Sequence, residues 1–296
     1  MSVRVGGYAC GDRSDTRMPN RVDRWILGAW EPSGEGVSEH MTREFRDIRG
    51  SGAENAPAPP VEEFMAGLEA LQAEVAVEKN QVWERVADGT LSMDLLKRLC
   101  KEYYFLGKWY TSEFGSIVSN APDVDALDLG SSEHFIHWTQ NLADETGFAG
   151  DRNHVDMKIE WARTLGISDD ELLNYRPLPE SIGSVFTTLY YMRRSYEEGL
   201  AAFGWAGERF AASTDYARKM YEGMRDHYGI DVENFKVHAY AEEDHGNAAD
   251  YLLRQVATTL GQQRRIRRAV EHVLVCRNAR TVALNRWLEE PGALRS

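Results

Sequence analysis

The stretch Lys236-Val-His-Ala-Tyr-Ala-Glu-Glu-Asp-His245 is the most informative part of this chain. It places His238, Glu242 and His245 at positions i, i+4 and i+7, so on a helix their side chains share one narrow face. Two imidazoles and a carboxylate are ligands for first-row transition metals, and nitrogen and oxygen donors favour iron or manganese. A metal inside a helical protein takes further ligands from facing helices, so this pattern predicts partners upstream.

The spacing of apolar residues predicts helices along most of the chain. Apolar residues recur every three or four positions over residues 62–88, and Ser92 is placed to cap a helix that runs to about residue 119. Further helices are predicted at about 124–146, 152–165, 168–174, 178–203, 205–211, 213–227, 231–261 and 263–289. Few strand-like alternations occur, so we predict an all-α bundle of seven or more helices over residues 61–296.

The first 60 residues differ in composition from the rest. They are rich in Gly, Pro, Arg and Asp and end in Ala56-Pro-Ala-Pro-Pro60, so they offer little apolar surface to offset the entropy lost on ordering. We predict a partly irregular N-terminal extension over residues 1–60, in which Trp25 and Trp30 could dock on a neighbouring surface.

The net charge, the cysteines and the lack of long apolar runs argue against several classes of function. A formal net charge of −13 over 296 residues argues against a nucleic-acid partner, because phosphate binding needs a basic surface. Cys10, Cys100 and Cys276 are widely separated, which fits a reducing compartment better than a disulfide framework. The N-terminus lacks the apolar core of a signal peptide, and no apolar run is long enough to span a membrane. We therefore expect a cytoplasmic protein without a membrane partner.

Two upstream segments supply candidate ligands. Glu145 and His154 are nine residues apart and would point to opposite sides of an unbroken helix, but Gly147 and Gly150 lie between them and permit a chain reversal. Glu208 stands in Gly-Trp-Ala-Gly-Glu-Arg-Phe, where small neighbours permit close helix packing and aromatic neighbours exclude water.

Together these segments give three carboxylates and three imidazoles. The six candidate metal ligands are Glu145, His154, Glu208, His238, Glu242 and His245. Two ferrous ions carry four positive charges and three carboxylates remove three, so the remaining positive charge would favour an anionic ligand. A small shift in helix phase would let Glu243 or Asp244 replace Glu242. His134 and His137 also compete as ligands, although we interpret them as residues around the site or on the surface.

A resemblance to a known family follows from these motifs. Residues 86–104, Val-Ala-Asp-Gly-Thr-Leu-Ser-Met-Asp-Leu-Leu-Lys-Arg-Leu-Cys-Lys-Glu-Tyr-Tyr, resemble the opening helix pair of the TenA/PqqC-like, heme-oxygenase-like fold. The six ligands are similar, in order and spacing, to those of the heme-oxygenase-like diiron oxidase branch, which ends in His-x3-Asp/Glu-x2-His. The resemblance covers roughly residues 62–262. It departs at Glu242, where the branch commonly has Asp.

The resemblance implies a non-heme diiron oxidase. Such an enzyme binds two Fe(II) ions, takes O2 as co-substrate and oxidises a small molecule in a biosynthetic pathway, often of secondary metabolites. The outcomes in this branch are C–H abstraction leading to desaturation, cyclisation or cleavage, and N-oxygenation. An external electron donor and a homodimer are further expectations by analogy.

The substrate is suggested by aromatic and cationic residues on the same helices. We select Tyr103, Trp138, Tyr190 and Trp205 as substrate-binding candidates, with Arg193 placed to bind a carboxylate. An aromatic pocket of this kind favours a free aliphatic amino acid over a long acyl chain. The alternatives are a metal-independent TenA/PqqC-like enzyme, a diiron decarboxylase of fatty acids and a non-catalytic binding module.

Overall fold

The computed structural model describes residues 57–122, 129–148, 152–209 and 214–295. Within helices it includes the backbone of residues 129–131 and 240–247 but not their side chains. The predicted N-terminal extension, with Trp25 and Trp30, lies almost entirely outside the described residues. The first described helix begins at Val61.

Twelve α-helices and two π-helical segments make up most of the described chain. The α-helices are α1 (Val61–Val75), α2 (Gln81–Ala87), α3 (Met93–Gly107), α4 (Tyr110–Asn120), α5 (Leu129–Thr146), α6 (His154–Thr164), α7 (Asp169–Leu173), α8 (Pro179–Met192), α9 (Tyr196–Gly199), α10 (Tyr216–Gly223), α11 (Glu233–Val256) and α12 (Leu260–Asn285). The π-helical segments are Leu200–Arg209 and Met224–Tyr228, and a 3₁₀ turn covers Arg286–Glu289. The described residues contain isolated β-bridges but no strand, so the all-α prediction is confirmed.

The chain between α1 and α2 corrects the prediction of one helix over residues 62–88. The backbone N–H groups of Glu78 and Gln81 donate to the side-chain oxygens of Asn278 (3.0 Å) and Asn285 (2.9 Å). Both asparagines lie on α12. Hydrogen bonds to a distant helix therefore replace those that would have continued α1.

Two longer predicted helices are also divided. The helix predicted from Ser92 to about residue 119 begins as expected, because the Ser92 hydroxyl accepts from the Leu95 N–H at 3.3 Å, but α3 ends at Gly107, a weak helix former. The helix predicted over residues 178–203 ends at Met192, whose carbonyl accepts a hydrogen bond from the Asn120 side chain at 2.8 Å.

Within the segment predicted as a helix over residues 205–211, residues 205–209 belong to the π-helix Leu200–Arg209, and the last two residues lie outside the described residues. This segment packs against α11 at a close approach, since a Cβ added to Gly204 would lie 2.9 Å from the Cβ of Ala249. A π-helix widens the backbone spacing and often occurs at functional sites. Here it ends next to the candidate ligand Glu208.

The apolar core consists of two clusters. The first includes Trp161 and Phe235 together with Tyr103, and the second includes Trp205 and Phe114. Tyr103 and Phe114 also line one cavity, so that cavity borders both clusters. In the part of the chain that the structure describes, no helix combines the length and apolar character needed to cross a membrane.

Candidate metal centre

Three of the six predicted ligands meet in the structure. Glu145 lies near the end of α5, His154 begins α6 and His238 lies in α11. The Nδ1 atom of His154 is 2.9 Å from Oε1 of Glu145, and Nε2 of His238 is 4.0 Å from the same oxygen. One donor atom from each residue falls within 4.8 Å of the other two, which is compact enough for the three to hold one metal ion.

The approach of Glu145 and His154 depends on a reversal of the chain. Gly147 follows α5 with a φ of 72°, a left-handed conformation that glycine adopts without strain. Asn153 then starts α6, because its side-chain oxygen accepts from the N–H groups of Val155 (2.8 Å) and Asp156 (3.2 Å). The turn and the cap together bring the two donors to the same side.

His238 is held in an orientation that suits a metal ligand. Its Nδ1 atom is 2.6 Å from the Asn234 carbonyl oxygen, so the ring donates there and keeps the lone pair of Nε2 on the side of Glu145. Burial lowers the pKa of His238 to about 4. The imidazole is therefore neutral at pH 7, the form that binds metals.

Glu145 is a buried carboxylate with unused hydrogen-bonding capacity. Burial acts to raise the pKa of its carboxyl, but His154, Lys158 and His238 together outweigh burial and lower it. Its Oε2 atom is shielded from solvent and has no hydrogen-bond partner among the described residues. A buried anionic oxygen of this kind is costly unless a cation binds it.

Glu208 lines the cavity that contains this cluster, although it is not one of the three grouped donors. The remaining predicted ligands, Glu242 and His245, have side chains outside the described residues. Their backbone belongs to α11, which is continuous from Glu233 to Val256. The spacing that places both on the face of His238 is therefore present, and their roles as ligands stay predictions.

The cavity has a volume of about 550 Å³ and is lined by aromatic, acidic and basic side chains. Among the predicted substrate-binding residues, Tyr103 lines it. Trp138, Tyr190, Arg193 and Trp205 are not among the residues that line it. The two tryptophans are fully buried in the apolar core, whereas Tyr190 and Arg193 are exposed near the end of α8.

Glu113 is an acidic residue of the cavity that is absent from the predicted ligands. It is 3% exposed, and its Oε2 atom has no hydrogen-bond partner in the described part of the chain. Burial, reinforced by the charge of Glu145, raises the pKa of Glu113 to about 8. The sequence did hold a signal, since Glu113 shares the apolar face of α4 with Tyr110 and Ile117.

Lys158 is a second unexpected charged group near the cluster. It is 2% exposed and lies one turn after His154 on α6, with its Nζ atom 5.0 Å from the centre of the Tyr110 ring. Gly107 makes room for it, because a Cβ there would lie 2.6 Å from the Lys158 side chain. Burial lowers the pKa of Lys158 to about 8, although Glu145 opposes this shift.

The competing candidates occupy other environments. His134 is buried with its ring nitrogens 2.9 Å from the Tyr196 hydroxyl and 3.0 Å from the Gln255 side chain, which accounts for both polar atoms. Cys100 is fully buried, and burial raises the pKa of its thiol, so it lacks the properties of a nucleophile.

The comparison with known families identifies the class of protein. A sequence model of the family described as "iron-containing redox enzyme" matches residues 112–278, which is more than half of the chain. The chain therefore belongs to this family of iron-containing redox enzymes. It is an oxidoreductase-type enzyme, and such an enzyme acts on a small molecule.

Two curated relatives have the same name. The 4-aminobenzoate synthase of Chlamydia pneumoniae is 23% identical over 181 residues, which cover 59% of this chain and 74% of the relative. The 4-aminobenzoate synthase of Chlamydia muridarum (strain MoPn / Nigg) is 23% identical over 199 residues, which cover 66% of this chain and 79% of the relative.

Solved structures confirm the predicted fold. A TenA homolog from Pseudomonas syringae pv. tomato has a TM-score of 0.60 at 12% identity, covering 79% of this chain and 99% of that structure. A domain with a heme oxygenase-like fold from Shewanella denitrificans has a TM-score of 0.57 at 15% identity, and the match covers 79% of this chain and 96% of that structure. At these identities the similarity concerns the fold alone.

The donor set fits the iron that the family description names. Two imidazole nitrogens and a carboxylate oxygen are donors that iron accepts, and the described cluster contains no thiolate that would favour a softer ion. The buried Oε2 of Glu145 and the oriented Nε2 of His238 are the atoms that would bind it.

Proposed function

We propose that this chain is an O2-dependent non-heme oxidase that binds two Fe(II) ions and oxidises a small substrate inside the cavity of about 550 Å³. The observation that carries the proposal is the meeting of Glu145, His154 and His238 from three separate helices. In a packed core such a cluster is destabilising without a bound cation, so its presence favours a role in metal binding.

The second ion would use the remaining acidic and imidazole groups. Glu113 and Glu208 line the same cavity, and Glu242 and His245 follow His238 on α11. Glu113 lines the cavity together with Glu145, and its buried Oε2 atom has no hydrogen-bond partner among the described residues, which supports a seventh donor that the six-residue pattern omits. A bridging carboxylate between two ions is a common solution in helical bundles.

When bound, ferrous iron supplies the electrons that reduce O2. The protein's own groups fix the geometry and the surroundings of that chemistry. The Asn234 carbonyl orients His238 at 2.6 Å, and the Asn153 cap fixes the start of α6 at His154. Aromatic walls that include Tyr103, Phe114 and Phe203 exclude water from the reacting groups.

We propose a free aliphatic amino acid as the substrate. The cavity volume is within the range of pockets that enclose small molecules, and both charged and apolar side chains line it. Such a wall matches a molecule with charged ends and a short apolar part. The product would be a desaturated, cyclised, cleaved or N-oxidised derivative, and any further electrons would come from an external donor.

Two alternatives predict different behaviour. A metal-independent enzyme on this fold would need another reactive group, and the buried, inert Cys100 does not supply one. A fatty-acid decarboxylase would use the same irons but would respond to long-chain acids rather than to amino acids.

The test is to add ferrous iron to the anaerobic iron-free chain and then admit O2, with and without each amino acid or a series of fatty acids. We expect uptake of two irons per chain and a transient visible absorption band that depends on one amino acid. His238→Ala and Glu208→Ala should abolish the band. His272→Ala is the matched control, since His272 is exposed and contacts Tyr191 instead. Absence of iron uptake by the unaltered chain would contradict the proposal.

A further inference from the structure

Two arginines on α12 line the cavity of the metal cluster. Arg277 and Arg280 are three residues apart, so their side chains extend from neighbouring positions on one face of the helix. Both follow the apolar face formed by Val270 and Val273, and that face continues to Leu284. Cationic side chains on a buried helix face are uncommon, because removing a guanidinium from water is costly.

The guanidinium group of Arg280 is held in a fixed orientation, and not all of its N–H groups have an acceptor. Its Nε atom donates to the Ser181 hydroxyl at 3.3 Å, and its guanidinium carbon lies 5.8 Å from the centre of the Tyr103 ring. Its Nη2 atom is shielded from solvent and has no hydrogen-bond partner among the described residues. Arg280 also makes no ion pair within the described part of the chain.

The hydroxyl that binds Arg280 is itself anchored by a buried acid. Ser181 itself donates to Glu102, which also accepts from the Tyr175 hydroxyl at 2.7 Å and the Leu178 N–H at 2.9 Å. Glu102 therefore anchors Ser181, and through it the orientation of Arg280, without pairing with the guanidinium directly. This arrangement leaves the Nη2 side of the Arg280 guanidinium available to a ligand.

Arg277 adds a second positive charge beside the first. The two side chains line the same cavity from positions one helical turn apart, and burial together with the charge of Arg280 lowers the pKa of Arg277. An anion placed between or beside two such groups offsets their like charges and supplies the missing acceptor. A carboxylate suits the task because its two oxygens match the paired N–H groups of a guanidinium.

We infer that Arg277 and Arg280 form the subsite that binds the carboxylate of the substrate, so that the substrate is a small carboxylic acid held with its opposite end toward the metal cluster. The inference rests on the proposed oxidase function and specifies the substrate class of the same cavity. It replaces Arg193, which is exposed just after the end of α8, as the residue that recognises a carboxylate. Arg280 supplies the oriented donors, and Arg277 supplies additional charge.

A competing explanation is that Arg277 serves only as a counter-ion for Glu113, whose pKa it acts to lower. This explanation applies to Arg277 alone. It does not provide an acceptor for Nη2 of Arg280. Replacement of Arg280 alone therefore tests the carboxylate subsite independently of the pairing between Arg277 and Glu113.

The test measures binding to the iron-free full chain by calorimetry. The probes are the standard L-amino acids, their carboxamides (such as leucine against leucinamide), the straight-chain acids from butanoate to dodecanoate, and inorganic phosphate. We expect at least one carboxylic acid to bind, its carboxamide to bind about tenfold or more weakly, and Arg280→Gln to weaken the acid about tenfold to a hundredfold. Arg280→Lys, which keeps the charge but loses the paired geometry, should give an intermediate loss.

Arg264→Gln is the matched control, since Arg264 lies on the same helix and is exposed. It should leave binding unchanged, and Arg280→Gln should still take up iron as the unaltered chain does. Equal binding of acid and carboxamide, no carboxylic acid bound at all, or an Arg280→Gln variant that folds and keeps full affinity would each overturn the inference. Selective carboxylate binding without any iron uptake would refute the proposed oxidase while leaving the anion subsite in place.

Discussion

Glu102 and Glu145 are both buried carboxylates on helices, yet their surroundings are opposite. Glu102 accepts hydrogen bonds from Tyr175, Leu178 and Ser181, so its charge is neutralised by fixed dipoles of the protein. Glu145 faces two imidazole rings, and its Oε2 atom has no hydrogen-bond partner among the described residues. The first site is complete as folded, whereas a bound cation would complete the second.

This contrast separates a structural polar group from a functional one. A buried carboxylate that the protein itself satisfies contributes to stability, and removing it leaves donors unpaired. A buried carboxylate that the protein leaves unsatisfied reduces stability and is retained for binding. The comparison yields four predictions, in which metal binding and stability should respond in different ways at the two sites.

The largest effect should be on iron binding. Glu145→Gln and His238→Ala each remove a proposed ligand, and we expect iron affinity to fall at least about a hundredfold, more than the loss typical of residues that merely support a ligand. Glu102→Gln should leave iron affinity within about twofold. Anaerobic titration with ferrous iron, followed by metal analysis after desalting, measures all three. Equal losses at Glu102 and Glu145 would break the distinction between the sites.

The free energy of unfolding should change most clearly when Glu102 is replaced. Glu102→Gln places an amide group against three donors and should lower the free energy of unfolding by about 2 kcal/mol. Urea unfolding of the iron-free chain followed by circular dichroism measures this change, with Glu69→Gln, an exposed acid on α1, as the control. An unchanged midpoint for Glu102→Gln would show that its hydrogen bonds do not stabilise the fold.

Lys158 sharpens the contrast through its dependence on pH. Its pKa is about 8 in the folded chain, below the ordinary value of 10.5, so the unfolded chain binds more protons between these two pH values. The stability of the unaltered chain should therefore rise with pH across that window, and the charged amine should be destabilising below it. Lys158→Met should raise the free energy of unfolding by roughly 1–2 kcal/mol at pH 7.

The gain from Lys158→Met should disappear above about pH 10.5, where the amine is neutral in both states. Thermal unfolding at several pH values tests this, with Lys79→Met, at an exposed lysine between α1 and α2, as the control. A variant that is less stable than the unaltered chain at pH 7 would mean that Lys158 stabilises the site by pairing with Glu145.

The smallest effect should come from one donor of the structural site. Tyr175→Phe removes the hydroxyl that donates to Glu102 at 2.7 Å and should lower the free energy of unfolding by about 1 kcal/mol. Iron uptake should be unchanged. Any loss of iron binding in this variant would show that the two carboxylate sites are coupled.

The sequence predicted the helical fold from local patterns, and it predicted the meeting of Glu145, His154 and His238 from the types of ligand and their resemblance to the pattern of a known family. Apolar periodicity defines the helices, and Gly147 marks the reversal between α5 and α6. The ends of the helices were less predictable. After α1, the backbone N–H groups of Glu78 and Gln81 donate to asparagines of α12 instead of continuing the helix. Such contacts join residues about two hundred positions apart and leave no mark on local spacing.

The charged residues of the cavity were missed for a related reason. Glu113, Lys158, Arg277 and Arg280 each lie on the apolar face of a helix, which is a visible signal. A single charged residue on an apolar helix face usually lies at the edge of the core. Such a residue indicates a site only when the structure shows that several helices bring charged residues to the same cavity. Conversely, Trp138 and Trp205 had the aromatic character of a pocket but pack in the core.

The most direct test of the central claim is diffraction at the iron absorption edge from crystals of the full chain loaded with ferrous iron under anaerobic conditions. We expect two anomalous peaks in the cavity, one of them within coordination distance of a carboxylate oxygen of Glu145 and of Nε2 of His238. A fully iron-loaded crystal with no peak beside these residues, or with iron only on the protein surface, would contradict the account.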